Sequence, residues 1–151
     1  MNATVYFGIA LGLGSFASAQ NTVTLKHIEF RQGYSRLARS AQLQGKVVVH
    51  LKISSSGTVS TAEPETSEQN LVEHPLLQEE ASNIARKCTF QCLDCTRNGD
   101  YSYTLIFVYR LEGQKSKFDE SKISFDFPST ITITAHPPVS IRDTEILGRP
   151  R

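Results

Sequence analysis

Residues 101–111 read YSYTLIFVYRL, the longest alternating stretch of the sequence. Tyrosine, leucine and phenylalanine occupy one set of alternate positions, and serine, threonine, isoleucine, valine and arginine occupy the other. Alternation over this length predicts a β-strand with one face packed on a core. The preceding residues 97–100, RNGD, have the composition of a turn. This strand is the element around which the rest of the chain is expected to fold.

A second alternating segment lies earlier in the chain. Val47, Val49, Leu51 and Ile53 alternate with a second, more polar set of side chains over residues 46–53. The next four residues, SSSG, have the composition of a hairpin turn, and extended chain resumes until a proline at position 64. We therefore expect an antiparallel pair of strands here.

Two segments carry helical periodicity. The shorter spans residues 34–43, and its apolar face consists of Tyr34, Leu37, Ala38 and Ala41. The arginines at positions 36 and 39 lie off this face. The longer begins at His74-Pro75, because proline suits the first helical turn. Its apolar stripe consists of Leu77, Ala81, Ile84, Ala85 and Cys88.

Together these elements predict an α+β fold. We expect a small antiparallel β-sheet with one main packed helix and one short helix. A C-terminal extension over residues 113–151 adds short alternating runs at 123–127 and 131–133, interrupted by Pro128. Because proline favours edge strands, we expect these runs to form edge strands, with the rest of the extension partly disordered.

The N-terminus has the pattern of an export signal. Residues 5–14 read VYFGIALGLG, and small residues follow at Ala17 and Ala19. A bilayer span needs about 20 apolar residues, so cleavage is favoured over anchoring. We expect a signal peptide at 1–19 and a periplasmic or secreted protein. The alternative is an inner-membrane anchor, because residues 1–4 contain no Lys or Arg.

Composition excludes several functional classes. The chain has 151 residues, with 16 Lys and Arg against 15 Asp and Glu, for a net charge of +1. We expect no nucleic-acid partner, because the sequence lacks a basic, aromatic-studded face. Motifs such as G-x-S-x-G, H-E-x-x-H and the P-loop do not occur in the sequence. We therefore expect no enzyme, no catalytic residue and no cofactor.

The order of elements resembles the C-terminal domain of TonB, the periplasmic energy-transducing protein of Gram-negative bacteria. The family's Tyr-Pro-x-x-Ala opening is similar to Tyr34 through Ala38, with Ser35 in place of the proline. The family's Asp-Gly-x-Val hairpin resembles Ser56 through Val59. Both motifs occur in the order that the family has them.

Two further motifs extend this resemblance. The family's Leu-x-x-x-Ala helix resembles Leu77 through Ala81, and its Trp-x-Phe helix exit resembles Cys88 through Phe90. Cysteine stands here in place of the tryptophan. The resemblance implies a TonB-like domain over residues 34–112, preceded by a lead-in at 20–33. It also implies binding to extended segments of outer-membrane transporters or other envelope proteins.

The long strand is the expected binding surface. If it lies at a sheet edge, its unpaired backbone groups can take up an extended peptide as an added strand. The expected peptide-binding residues are Tyr101, Ser102, Tyr103, Thr104, Ile106, Val108 and Arg110. Two alternatives stay open: the runs between residues 123 and 133 cover this edge, or edge strands of two copies form a homodimer.

The three cysteines have the spacing C-x3-C-x2-C at Cys88, Cys92 and Cys95. Cys88 lies on the helical stripe at the family's tryptophan position, and the other two lie in the loop that follows. In an oxidising compartment we expect a Cys92–Cys95 disulfide and a buried Cys88 thiol, with no metal. The alternative function is a small exported thiol-redox or metal-binding protein that uses these cysteines.

Overall fold

The computed structural model describes residues 22–29, 33–66, 74–93, 95, 99–118 and 120–139. The predicted signal peptide lies outside the described residues, as does the chain beyond residue 139. The elements are β1 (Thr22–His27), α1 (Arg36–Ser40), β2 (Gly45–Ser54), β3 (Val59–Pro64), α2 (Pro75–Arg86), β4 (Thr89–Leu93), β5 (Asp100–Leu111), β6 (Ser121–Asp126) and β7 (Thr130–Ala135). The α+β prediction is confirmed.

Five strands form one sheet in the order β3-β2-β5-β7-β6, and β1 pairs with β4 in a separate two-stranded sheet. All pairs are antiparallel except β5 with β7, which run parallel. The sheet is therefore mixed, whereas the alternation of the sequence predicted an antiparallel one. Alternation fixes which side chains are buried and leaves strand direction open.

The register places apolar side chains in continuous rows across the sheet. Val47 faces Phe107 and Val49 faces Leu105, and all four are at most 1 % exposed. On the far side of β5, Phe107 faces Ile131, which is fully buried. Because every other residue of each strand points to this face, one apolar surface spans β2, β5 and β7.

Helix α2 packs on the β3 and β2 side of the sheet and touches β5 only slightly. The side chain of His74 caps its N-terminus, accepting a hydrogen bond from the Leu76 N–H at 3.2 Å, and Pro75 follows in the first turn. The start predicted from His74-Pro75 is confirmed. Leu77 and Ala81 are at most 1 % exposed, so the predicted stripe is the buried face.

Helix α1 is only five residues long, and its faces differ from the prediction. Leu37 is 63 % exposed, whereas Arg39 is 1 % exposed and donates from Nη1 to the His136 carbonyl at 3.3 Å. The reason is tertiary, because that carbonyl belongs to the segment after β7. Arg39 therefore ties α1 to the end of the sheet.

The predicted C-terminal extension completes the main sheet. Strand β7 lies between β5 and β6, and its Ile131 and Ile133 are fully buried. The sequence analysis predicted edge strands for both runs, 123–127 and 131–133. This prediction is confirmed for β6 and wrong for β7, which lies inside the sheet. The predicted domain boundary at residue 112 cuts through a shared core.

The sequence analysis did not predict β1 and β4. Strand β1 comes from the predicted lead-in, and β4 immediately follows α2, where a loop was expected. An isolated bridge between Thr58 and Thr89 connects β4 to the hairpin of the main sheet. Because β4 is short and exposes alternate side chains, its hydrophobic pattern is too weak to identify it.

Candidate functional site

The predicted peptide-binding residues lie on β5, in the middle of the sheet. Ser102, Thr104 and Arg110 are exposed on the face opposite the helices, and the remaining four are half-buried. All seven lie on one strand, as predicted. That strand pairs with β2 along one side from Asp100 to Tyr109, which leaves out only its last two residues.

The other side of β5 is covered over half of its length. Strand β7 pairs with residues Ile106 through Leu111, and the Ile106 N–H donates to the Ser129 carbonyl at 2.9 Å. The prediction of an open edge is therefore wrong for Ile106, Val108 and Arg110. A parallel strand from the extension occupies the backbone groups that a peptide would need.

Over the first half of β5, no described strand lies on the β7 side. The β6–β7 turn ends beside this gap, where the Tyr103 hydroxyl donates to the Pro128 carbonyl. Burial raises the pKa of Tyr103, so the hydroxyl keeps its proton at neutral pH. The part of the predicted site that remains uncovered is short and flanked by that turn.

Strand β6 forms one margin of the sheet, and its backbone directions follow from the bonds between β5 and β7. The N–H groups of Ile106 and Glu112 donate to the carbonyls of Ser129 and Ala135 at 2.9 and 3.0 Å. The odd-numbered residues of β7 therefore point their backbone groups at β5. Because these directions alternate along a strand, the even-numbered residues of β7 point at β6.

The register then fixes the open side of β6. Its even-numbered residues, Lys122, Ser124 and Asp126, face even-numbered residues of β7 and bond to them. The N–H and C=O groups of Ser121, Ile123 and Phe125 consequently point away from the sheet. No strand of the described part of the chain pairs with them. We call Ser121–Asp126 with these outward groups the β6 margin.

The β3 margin, residues Val59–Pro64, is less accessible to an added strand. The Thr58–Thr89 bridge and a bond from the Phe90 N–H to the Gly57 carbonyl at 2.8 Å occupy its beginning. At its other end, Pro64 has no N–H to donate. Both features are common protections of edge strands.

Exposed aromatic side chains lie on the β6 margin and next to it in the sequence. Phe118 is 71 % exposed, Phe125 is 37 % exposed and Phe127 is 78 % exposed. Large apolar side chains exposed close together often mark a binding surface. Sequence reasoning treated these residues as parts of a connector and edge strands. The F-D-F-P sequence at 125–128 was the available signal.

The structure places two of the three cysteines next to each other. Cys92 and Cys95 form a close pair with their Cα atoms 5.7 Å apart, a separation that suits the predicted disulfide, and Cys88 is buried. Cys92 belongs to β4 and not to the predicted loop. Burial raises the pKa of the Cys88 thiol to about 12, and its Sγ donates to the Ile84 carbonyl at 3.4 Å. At neutral pH Cys88 is therefore an unreactive thiol.

Histidines and acidic groups do not gather into a metal site in the residues that the structure describes. His50 lies on the exposed face, where Nδ1 is 3.3 Å from the Thr104 hydroxyl and Nε2 is 3.8 Å from Glu65. In the described ranges, neither helix has the length and apolar character that crossing a bilayer demands.

Comparison of the chain with models of protein families, with curated proteins and with solved structures finds no match.

Proposed function

We propose that this chain is a protein-binding module that takes up an extended segment of a partner as an additional strand. The observation that carries the proposal is the β6 margin, with outward backbone groups at Ser121, Ile123 and Phe125 and exposed phenylalanines around it. Strand addition uses main-chain bonds for affinity and side-chain contacts for specificity. The proposed surface therefore differs from the β5 edge predicted from sequence.

The TonB-like motifs and the predicted export signal favour partners in the bacterial envelope. We propose segments of outer-membrane transporters or other envelope proteins as the class of partner. Such segments must be extended and free of competing pairing when they bind. The side chains that point to the helix-covered face would contact Ile123 and Phe125, so an apolar residue is preferred there.

The energy of this interaction is modest. Three outward-facing residues offer about six backbone bonds, each with a net contribution of ~1 kcal/mol. Association costs ~4–15 kcal/mol, so backbone pairing alone gives weak binding. Burial of one exposed phenylalanine adds roughly 1.5–3 kcal/mol. The module is therefore expected to bind reversibly and to depend on Phe125 and Phe127.

A labelled eight-residue probe peptide that alternates valine with threonine would test the proposal. We expect its addition to shift the backbone amide signals of Ser121, Ile123 and Phe125 and to slow their hydrogen exchange. Shifts confined to Ser102 and Thr104 would indicate that the peptide binds at the uncovered half of β5 and not at β6. An absence of shifts in both strands at millimolar peptide would contradict strand addition.

Two substitutions at one position separate backbone from side-chain effects. Phe125→Pro removes an outward N–H that no described strand uses, whereas Phe125→Ala removes only the aromatic ring. We expect the proline variant to lose probe binding and the alanine variant to keep a weakened form of it. Circular dichroism must show that both are folded. Equal binding by the two variants would exclude a main-chain role for β6.

The thiol-redox alternative rests on the Cys92–Cys95 pair, whose residues are both half-buried. Catalytic disulfides of this spacing usually have their first cysteine at a helix N-terminus, which lowers its pKa. Cys92 instead follows Gln91 within a strand. Measurable turnover in an insulin-reduction assay, lost in a Cys92→Ser variant, would favour this alternative over strand addition.

A further inference from the structure

The β6 margin is complementary to itself, and the first constraint on such pairing comes from its backbone. Two antiparallel strands exchange bonds only between residues whose N–H and C=O groups point at each other. On β6 these residues are Ser121, Ile123 and Phe125. In a symmetric pair of two β6 strands, the alignment can therefore change only in steps that keep odd-numbered residues opposite odd-numbered ones.

The second constraint is charge. Lys122 and Asp126 are exposed on the same face of β6, and neither has an ion-pair partner among the described residues. When two strands pair about a two-fold axis at Ser124, Lys122 of each copy lies opposite Asp126 of the other. These are non-hydrogen-bonded pairs, in which facing side chains come closest.

The other alignments lack this match. An axis at Lys122 places two lysines opposite each other, and an axis at Asp126 does the same with two carboxylates; both arrangements are destabilising. Axes at Ile123 or Phe125 place a charged residue opposite Ser124. The Ser124 alignment alone satisfies both the backbone directions and the charges.

The apolar face is complementary in the same alignment. Ile123, which is partly buried and packs on the core, lies opposite Phe125 of the second copy. Phe125 is 37 % exposed in the single chain and would be covered from both sides. Isologous contacts of this kind are what a two-fold dimer requires.

We propose that two copies of this chain associate through antiparallel pairing of their β6 strands, centred on Ser124 and held in register by two Lys122–Asp126 ion pairs. The proposal rests on the same margin as the proposed function, so a second copy and a partner segment compete for it. The dimer is then the state in which the margin is covered when no partner is bound.

Sedimentation velocity over a concentration series tests the dimer. We expect the chain to convert reversibly to a species of twice its own mass as its concentration rises. Lys122→Asp and Asp126→Lys should each raise the midpoint concentration at least tenfold. The double variant should return it to within threefold of the original, because the opposite charges are restored. Lys52→Asp, an exposed lysine on β2, is the matched control and should change nothing.

Mixing the two single variants provides a decisive check. One copy then has acidic residues at both positions and the other has lysines, so a mixed dimer should form where neither variant dimerises alone. Single variants that dimerise like the original chain, a double variant that fails to recover, or a chain that stays monomeric at millimolar concentration would each overturn the proposal.

The failure of this inference can be distinguished from failure of the proposed function. At concentrations well below the dimer midpoint, the original chain should bind the uncharged valine–threonine probe, because self-association then does not compete. Probe binding without any dimer would reject only the self-pairing. The opposite result is also informative. If the dimer forms and depends on the charges, but the probe neither binds nor dissociates it, self-pairing is supported and the proposed function is rejected.

Discussion

The two margins of the main sheet are built differently. The β3 margin is bridged to β4 at Thr58, ends in Pro64 and lies under α2. The β6 margin pairs only with β7, and its outward backbone groups have no strand beside them in the described residues. Edge strands are usually protected by bridging, proline or charge. In the described residues, the β6 margin therefore lacks the bridge and the in-strand proline that protect the β3 margin, and exposed phenylalanines lie on it and next to it in the sequence.

The largest effect is expected from shortening a buried side chain of β7, the strand that lies between β6 and β5. Ile133→Ala should lower the free energy of unfolding by about 4 kcal/mol, because the side chain is fully buried. Ile123→Ala on β6 is the control and should cost about 1–2 kcal/mol, since Ile123 is only partly buried. Urea unfolding measures both. Similar small losses would mean that the extension is dispensable and that β6 is not attached to the core.

A smaller effect is expected from disturbing the bridge at the β3 margin. Gly57 has φ +84°, and an added Cβ would overlap the Phe90 carbonyl oxygen. Gly57→Ala should therefore cost about 3 kcal/mol, from backbone strain and the displacement of β4. Urea unfolding would measure this loss in the free energy of unfolding, with an alanine substitution at a second glycine of positive φ as the control.

Gly113→Ala is that matched control for the glycine prediction. Gly113 has a similar φ of +80°, but its added Cβ would meet only the movable His136 side chain, 2.8 Å from Nδ1. We expect it to cost about 1 kcal/mol, the strain contribution alone. Equal costs for the two alanine variants would show that β4 does not close the β3 margin.

The smallest effect concerns pH and the thiol behind the β3 margin. Burial raises the pKa of Cys88 from 9.0 to about 12, so the unfolded chain loses this proton at lower pH than the folded chain. The contribution to stability is complete below pH 9.0 and declines as pH rises toward about 12. Cys88→Ala should have a lower urea midpoint at pH 8 but a flatter decline between pH 8 and pH 11. An unchanged decline would place the titrating group elsewhere.

Tyr34 also contributes to the loss of folding stability at alkaline pH, independently of Cys88. Burial and the nearby Glu80 carboxylate raise the pKa of Tyr34 from 10.0 to about 12, despite the opposing effect of Arg39. Its hydroxyl donates a hydrogen bond to the Leu43 carbonyl, and only the protonated, neutral form of the side chain can do this. The same burial raises the pKa of Tyr109, whose ring packs edge-on against Tyr34 at 5.2 Å.

Much of the fold could be predicted because periodic patterns record burial directly. The alternation in β2 and β5, the proline at the start of α2 and the stripe through Leu77 and Ala81 each identified a real element. Arg39 could not be predicted as buried, since its partner carbonyl comes from His136, far away in sequence. Strands β1 and β4 were missed because each is stabilised chiefly by the other.

The sequence analysis placed the binding surface on β5, whereas the surface that we propose is β6 of the same sheet. Sequence identified β5 as long and amphipathic, which is correct, and inferred that it lay at an edge, which is wrong over Ile106–Leu111. Nothing in the side-chain pattern of β5 distinguishes an edge strand from a central one. The phenylalanines at 118, 125 and 127 gained meaning only after β6 was placed at the margin.

The side-chain pattern alone established which residues of β2 and α2 are buried, the order of the main helix and the longest strands, and the α+β class. It did so because side-chain hydrophobicity varies along the chain with the period of each element. Tertiary structure alone decided which strands are neighbours, that β5 and β7 run parallel and that β6 is the open margin. Backbone N–H and C=O groups are alike in nearly every residue, so their partners are chosen by how the whole chain packs.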